Sequence, residues 1–146
     1  MLTHLDASVG QILQAIEAEG LTEETILVFL GDNGGPTREF TSSNAPFRGE
    51  KGQMYEGGLL VPMVMMWPGH LTGNRTYDGM TVSVDLFATM ASLVSKVPEN
   101  LYGVNLMPYL TGEKRGDAHQ TFFWRQGKNG PSHGSMEIDT NERRPA

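Results

Sequence analysis

Cysteine is missing altogether from the 146 residues, and its absence removes a disulfide framework, a thiolate zinc site and a cysteine nucleophile at one stroke. Long apolar runs are missing too. The longest, Leu59 to Trp67, is interrupted by Pro62 and falls far short of the ~20 residues that a membrane helix needs. Met1 leads straight into an amphipathic segment, so no secretory signal is read at the start. Basic residues are scarce: 11 Lys and Arg against 17 Asp and Glu leave a formal net charge of -6. Without a basic stripe to collect phosphates, nucleic acid is a poor partner. None of these absences marks a compartment.

What is present suits one ordinary domain, long enough to bury roughly two-thirds of its unfolded surface. Gly 18 and Met 9 point to a loop-rich chain. The stretch from Ile26 to Pro62 organises the rest. Ile26-Leu27-Val28-Phe29-Leu30 is apolar without alternation, the pattern of a strand buried on both faces in a parallel sheet. Asp32 and Asn33 follow at its carboxyl end, where open α/β sheets bind their ligands. Gly34 and Gly35 then let the backbone turn away.

In chain order, Leu2, Leu5, Val9, Ile12, Leu13 and Ile16 place one apolar stripe on a helix of about five turns. Gly20 ends it in a left-handed cap, with Leu21 folding back. A helix leading into a buried strand is half of a βαβ unit, and no strand precedes it, so the chain reads as opening part-way through a domain. Pro36 to Ser43 is a surface loop. Val61 to Trp67 is a second strand with Pro62 near its start, closed by Pro68-Gly69. Leu71 to Tyr77 is loop, and Val84 to Ser95 a second amphipathic helix with Ser83 or Asp85 near its amino end. Leu101 to Leu110 reads as irregular and Thr121 to Trp124 as a short strand. From Gln126 the composition suggests a frayed tail.

Four ordered motifs together resemble the later part of the catalytic domain of the sulfatases, within the alkaline-phosphatase-like superfamily. They are Leu5-Asp6-Ala7-Ser8-Val9-Gly10, Gly31-Asp32-Asn33-Gly34-Gly35, Arg48-Gly49-Glu50-Lys51-Gly52 running into Tyr55-Glu56-Gly57-Gly58, and Val61-Pro62 through Trp67-Pro68-Gly69. Weaker echoes follow in Ser83-Val84-Asp85-Leu86 and in Gly103 to Gly112. The resemblance implies an α/β fold, a partial alkaline-phosphatase-like sheet with flanking helices. It spans 1–125, and 126–146 stands as a flexible or unplaced tail.

The activity implied is hydrolysis of sulfate esters on a small molecule or a glycan. In the family the acid-amide pair binds a divalent cation, usually calcium, and here it falls on Asp32 and Asn33. Carboxylate and amide oxygens suit that hard cation, but two residues cannot fill the 6–8 oxygen positions it takes. The family's sulfate-binding lysine falls on Lys51, whose ammonium can offset charge growing on the substrate. The family's formylglycine nucleophile arises from Cys or Ser in a Cys/Ser-x-Pro-x-Arg context, which this chain lacks; Asn44-Ala45-Pro46-Phe47-Arg48 carries only the Pro-x-Arg half. The catalytic histidine and a second lysine would also lie upstream. The isolated chain is therefore expected to be inactive, with the missing upstream half of the domain as its partner. Family members are often periplasmic, secreted or lysosomal.

Competing expectations stand beside this one. A phosphodiesterase or phosphonate monoester hydrolase of the same superfamily would share the anion geometry, and a non-catalytic truncated product would share the sequence. Asp32-Asn33-Gly34 alone is an ordinary turn. Arg48 and Glu56 read as structural partners of the glycine-rich loop, and His4, His70, His119 and His133 as solvated, without ligand spacing among them.

Overall fold

The structure, a computed structural model, describes residues 2–38, 42–95, 98–125 and 135–139. Two compact units divide the chain: Met1–Leu30 with Met63–Arg75, and Gly31–Pro62 with Thr76–Ala146.

In the first unit the 3.6-residue apolar spacing produces α1, Leu2–Ala18. Its end follows from Gly20, whose φ of +68° is open to glycine without penalty. The Gly20 N–H donates to the Glu17 carbonyl at 2.9 Å and the Leu21 N–H to the Ile16 carbonyl at 3.0 Å. That pair of bonds is a Schellman cap, which satisfies carbonyls that the helix would otherwise leave open. Strands β1, Leu27–Leu30, and β2, Met63–Met66, pair antiparallel, with Leu27 opposite Met66 and Leu30 opposite Met63. Leu13 and Ile16 of α1 share a cavity of about 280 Å³ with Leu27 and Met66. The Trp67 indole beyond β2 donates to the Glu23 carbonyl at 2.7 Å and stacks on His70 at 3.8 Å between ring centroids.

The expectation of a parallel strand buried on both faces is corrected here. Both two-stranded sheets among the described residues are antiparallel, and Phe29, Leu30, Val64 and Met66 are exposed. An apolar run reports how much burial a strand wants, but not the direction of its neighbour.

In the second unit a single turn, α2, Glu56–Leu59, follows the glycine-rich segment. Helix α3, Val84–Val94, and the short α4, Met107–Leu110, enclose the best-buried residues: Ala88 and Leu106 on the apolar side, Asp85 and Thr89 on the polar side. The Leu106 N–H donates to the Thr89 hydroxyl at 3.0 Å, so the buried threonine is satisfied. Leu101 to Leu110 is thus not wholly irregular, since Pro108 at the start of α4 tolerates the missing donor. Strands β3, Thr121–Arg125, and β4, Ser135–Asp139, pair antiparallel. Part of the segment expected to be a loose tail is therefore a strand, with Thr121 opposite Asp139. Residues 126–134 and 140–146 lie outside the described residues. Tail composition rich in Gly, Ser and Asn hid the short alternating run Met136-Glu137-Ile138, which a period-2 reading would have found.

Candidate active site

Asp32 lies two residues past β1, and its loop is built by close backbone approach. The Gly31 N–H donates to the Pro62 carbonyl at 3.0 Å and the Gly34 N–H to the Gly58 carbonyl at 3.1 Å. A Cβ at Gly34 would overlap the Gly57 carbonyl oxygen, so only glycine lets this loop sit on α2.

Two side chains to which the sequence assigned no role hold the loop to the lysine segment. Asn44 accepts from the Gly35 N–H at 2.8 Å and donates to the carbonyls of Gly35 at 2.8 Å and Gly49 at 3.0 Å. One amide therefore clamps both halves of the site. Glu50, nearly buried, accepts from the Thr37 N–H, the Thr37 hydroxyl and the Arg38 N–H, each at 2.9 Å, and pairs with the Arg38 Nε at 2.8 Å. The Thr37 hydroxyl bond above all, then the Arg38 N–H, holds the Glu50 carboxyl below its ordinary 4.5 against the opposing effect of burial. Sequence reading weighs Asn44 only as a failed aldehyde precursor and Glu50 only as motif. The usable signal was an Asn among turn residues, where its amide commonly bonds the backbone.

These clamps bring Lys51 to Asp32. The Lys51 Nζ lies 3.7 Å from Asp32 Oδ2, with the two side chains 55% and 85% exposed. The Asn33 N–H donates to Asp32 Oδ1 at 2.8 Å. Exposed pairs of this kind add about 0–1 kcal/mol to stability, so the arrangement is not explained by folding. The donor set fits a hard cation in part: Asp32 and Asn33 are consecutive and exposed, and they carry carboxylate and amide oxygens. Among the described residues no group of three or more His, Cys, Asp or Glu could hold a metal ion. Completing such a site takes oxygens from elsewhere.

His119 is corrected from solvated to largely enclosed. Its Nε2 lies 2.8 and 2.9 Å from the two oxygens of Asp85, and the side chains are 9% and 0% exposed. Asp85 also accepts from the Val82 N–H at 2.9 Å and the Val104 N–H at 2.8 Å. His4 and His70 are exposed, as expected, and His133 lies outside the described residues. Arg48 stacks its guanidinium 4.0 Å from the Tyr55 ring centroid and donates to the Tyr55 hydroxyl at 3.0 Å, a structural pairing. Burial pushes the Tyr77 phenol up from 10.0; its hydroxyl donates to the Gly116 carbonyl at 3.1 Å and accepts from the Ala118 N–H at 2.9 Å.

The candidate residues thus meet at one point: the Asp32 carboxylate on its glycine-flanked loop and the Lys51 ammonium on the clamped glycine-rich segment. The sulfatase family model matches residues 1–96, and the chain belongs to that family. It is 36% identical over 127 residues to human arylsulfatase A, covering 84% of this chain and 25% of that protein. Mouse steryl-sulfatase is 36% identical over 129 residues, covering 82% of this chain and 21% of that protein. The chain thus spans about a quarter of the length of the curated relatives it matches. Among solved structures, Ps i-CgsB in complex with k-i-k-neocarrahexaose superimposes with a TM-score of 0.75 at 29% identity over 86% of this chain and 29% of that one. The PsFucS1 sulfatase from Pseudoalteromonas sp. shares the fold, with a TM-score of 0.70 at 21% identity over 93% of this chain and 33% of that one. The fold is α/β and partial alkaline-phosphatase-like.

Proposed function

We propose that this chain supplies part of the active site of a sulfate ester hydrolase, with Lys51 as the cation that contacts the substrate sulfate and Asp32 and Asn33 as two ligands of a divalent metal. The observation that carries the reading is the 3.7 Å approach of the Lys51 ammonium to Asp32, held by Asn44 and Glu50 although the pair itself is solvent-exposed. Asp32 and Asn33 offer oxygen to calcium, the cation such donors suit. Bound there, it would polarise a sulfate oxygen and favour the charge of the transition state. Lys51 would act on the same charge directly, already positioned and with no reorganisation to make during reaction.

The nucleophile and the remaining metal ligands are proposed to come from a complementary upstream segment of the domain. Support comes from this sequence, in which no Cys/Ser-x-Pro-x-Arg context occurs, and from the quarter of the relatives' length that it spans. Calcium binding to the chain alone is accordingly weak, since about 4–6 ligands would be water. Submicromolar binding by calorimetry, lost in Asp32→Ala, would mean that a complete metal site exists here.

Turnover of an activated aryl sulfate tests the whole reading. The isolated 146-residue chain should show none above background, and addition of the complementary segment should restore it. Lys51→Ala should then lower turnover by ~10²–10³. Metal-dependent turnover by the isolated chain that disappears in Asp32→Ala would place a nucleophile among these residues and defeat the proposal.

A further inference from the structure

One residue before Lys51 a second cavity opens. It has a volume of about 450 Å³ and is lined by Thr37, Arg38, Arg48, Glu50, Gln53 and Tyr55, a size ordinary for a ligand pocket. Its charges do not cancel. Glu50 is the one carboxylate in the lining, and its oxygens are already engaged by Thr37 and Arg38. Two arginines line the cavity with that single spent carboxylate, which leaves it with a net positive charge.

Both guanidiniums are also set in place with donors to spare. Among the described residues Arg38 bonds through Nε to Glu50, leaving its two terminal amino groups, and its side chain is 78% exposed. Arg48 is fixed over the Tyr55 ring and bonds its hydroxyl through one Nη. A guanidinium held this way loses little freedom on binding and matches a planar or tetrahedral oxyanion with paired N–H donors.

We propose that this cavity binds a second oxyanion of the substrate, a sulfate or carboxylate near the ester that reacts, so that the substrate class is a polyanionic glycan. The inference rests on the assignment of the reacting sulfate to Lys51. Glu50 lines the cavity and Lys51 is the next residue, so their Cα atoms lie only about 3.8 Å apart and the two sites are neighbours along one segment, the spacing that adjacent substituents on a sugar chain would need. Arg38 reads the second charge, Arg48 and Tyr55 form the wall, and Gln53 offers an amide.

Titration calorimetry of the 146-residue chain with three disaccharides tests it: one monosulfated, one disulfated, and one carrying a sulfate and a uronate carboxylate. At least one of the doubly charged ligands should bind about tenfold more tightly than the monosulfated one, the size expected of a charge-assisted bond at a partly exposed site. Which of them gains identifies the second group as sulfate or carboxylate. Arg38→Ala should erase the advantage and Arg38→Lys, which keeps a cation beside Glu50, should restore part of it, with melting temperatures confirming that both variants fold. Lys51→Ala should weaken all three ligands and leave their ratio intact. Equal affinity for all three, or an advantage that survives Arg38→Ala, overturns the proposal. If Lys51→Ala changes nothing while the Arg38 effect persists, the cavity stands and the assignment of the reacting sulfate to Lys51 falls.

Discussion

Two acid-base pairs in the same unit make opposite use of the same chemistry. Asp85 and His119 meet at 2.8 Å with side chains 0% and 9% exposed, and two backbone N–H groups complete the carboxylate's shell. Asp32 and Lys51 meet at 3.7 Å in the open. The first pair ties the start of α3 to the segments around Val104 and His119. Removing either partner would strand a buried polar group. The second has lone pairs and N–H donors to spare, contributes little to folding, and is held in place by other residues. The proposed site therefore uses a charged pair that adds little to stability, positioned by the bonds of Asn44 and Glu50.

The contrast can be broken most forcefully at Asp85. Asp85→Ala should destabilise the chain by about 3–5 kcal/mol, because His119 and the Val82 and Val104 N–H groups lose their acceptor in the interior. Urea denaturation measures it, and a loss below about 1 kcal/mol would show that the buried pair is not structural.

Next in size is Gly34→Ala. Its new methyl would overlap the Gly57 carbonyl oxygen, and overpacking of this kind costs about 1–3 kcal/mol. Thermal melting should register the loss, and hydrogen exchange should show the Asp32 loop opening first. A variant as stable as the parent would mean that the loop rests on α2 loosely.

Acid sharpens the comparison at Glu50. Its folded carboxyl lies below 4.5, so the deprotonated form binds its partners better than the unfolded chain does. That contribution is fully present above 4.5 and is lost as pH falls through the lower folded value. The stability gap between the parent and Glu50→Gln should therefore be constant from neutral pH down to about 5 and narrow below 4.5. A gap that widens on acidification would contradict the sign of the effect.

The smallest effect belongs to the exposed pair. Asp32→Asn and Lys51→Ala should each change stability by less than about 0.5 kcal/mol, although the latter should abolish most of the turnover of the completed enzyme. Destabilisation comparable to that of Asp85→Ala would erase the distinction between the two pairs.

Much of the site could be read in advance, because its signals are local. The helix pattern of α1, the cap at Gly20, the strand before Asp32 and the ordered family motifs all lie within short windows. The Lys51 Nζ lies 3.7 Å from Asp32 Oδ2. Asn44, Glu50 and His119 escaped that reading for a common reason. Each gets its meaning from partners 5 to 34 residues away, and a polar residue in a loop carries no mark of whether it will be solvated or enclosed.

The sequence by itself determined the family, the types of α1, α3, β1 and β2, and the candidate residues, since residue spacing sets which face of a helix or end of a strand a side chain occupies. Only the tertiary structure decided that β1 and β2 run antiparallel, that Ser135–Asp139 pairs with Thr121–Arg125, and that one histidine is enclosed while two others are open. It also decided that two arginines share a cavity beside Lys51. Strand direction, burial and charge balance depend on which distant segments meet, and that outcome belongs to the whole chain's packing rather than to any window of it.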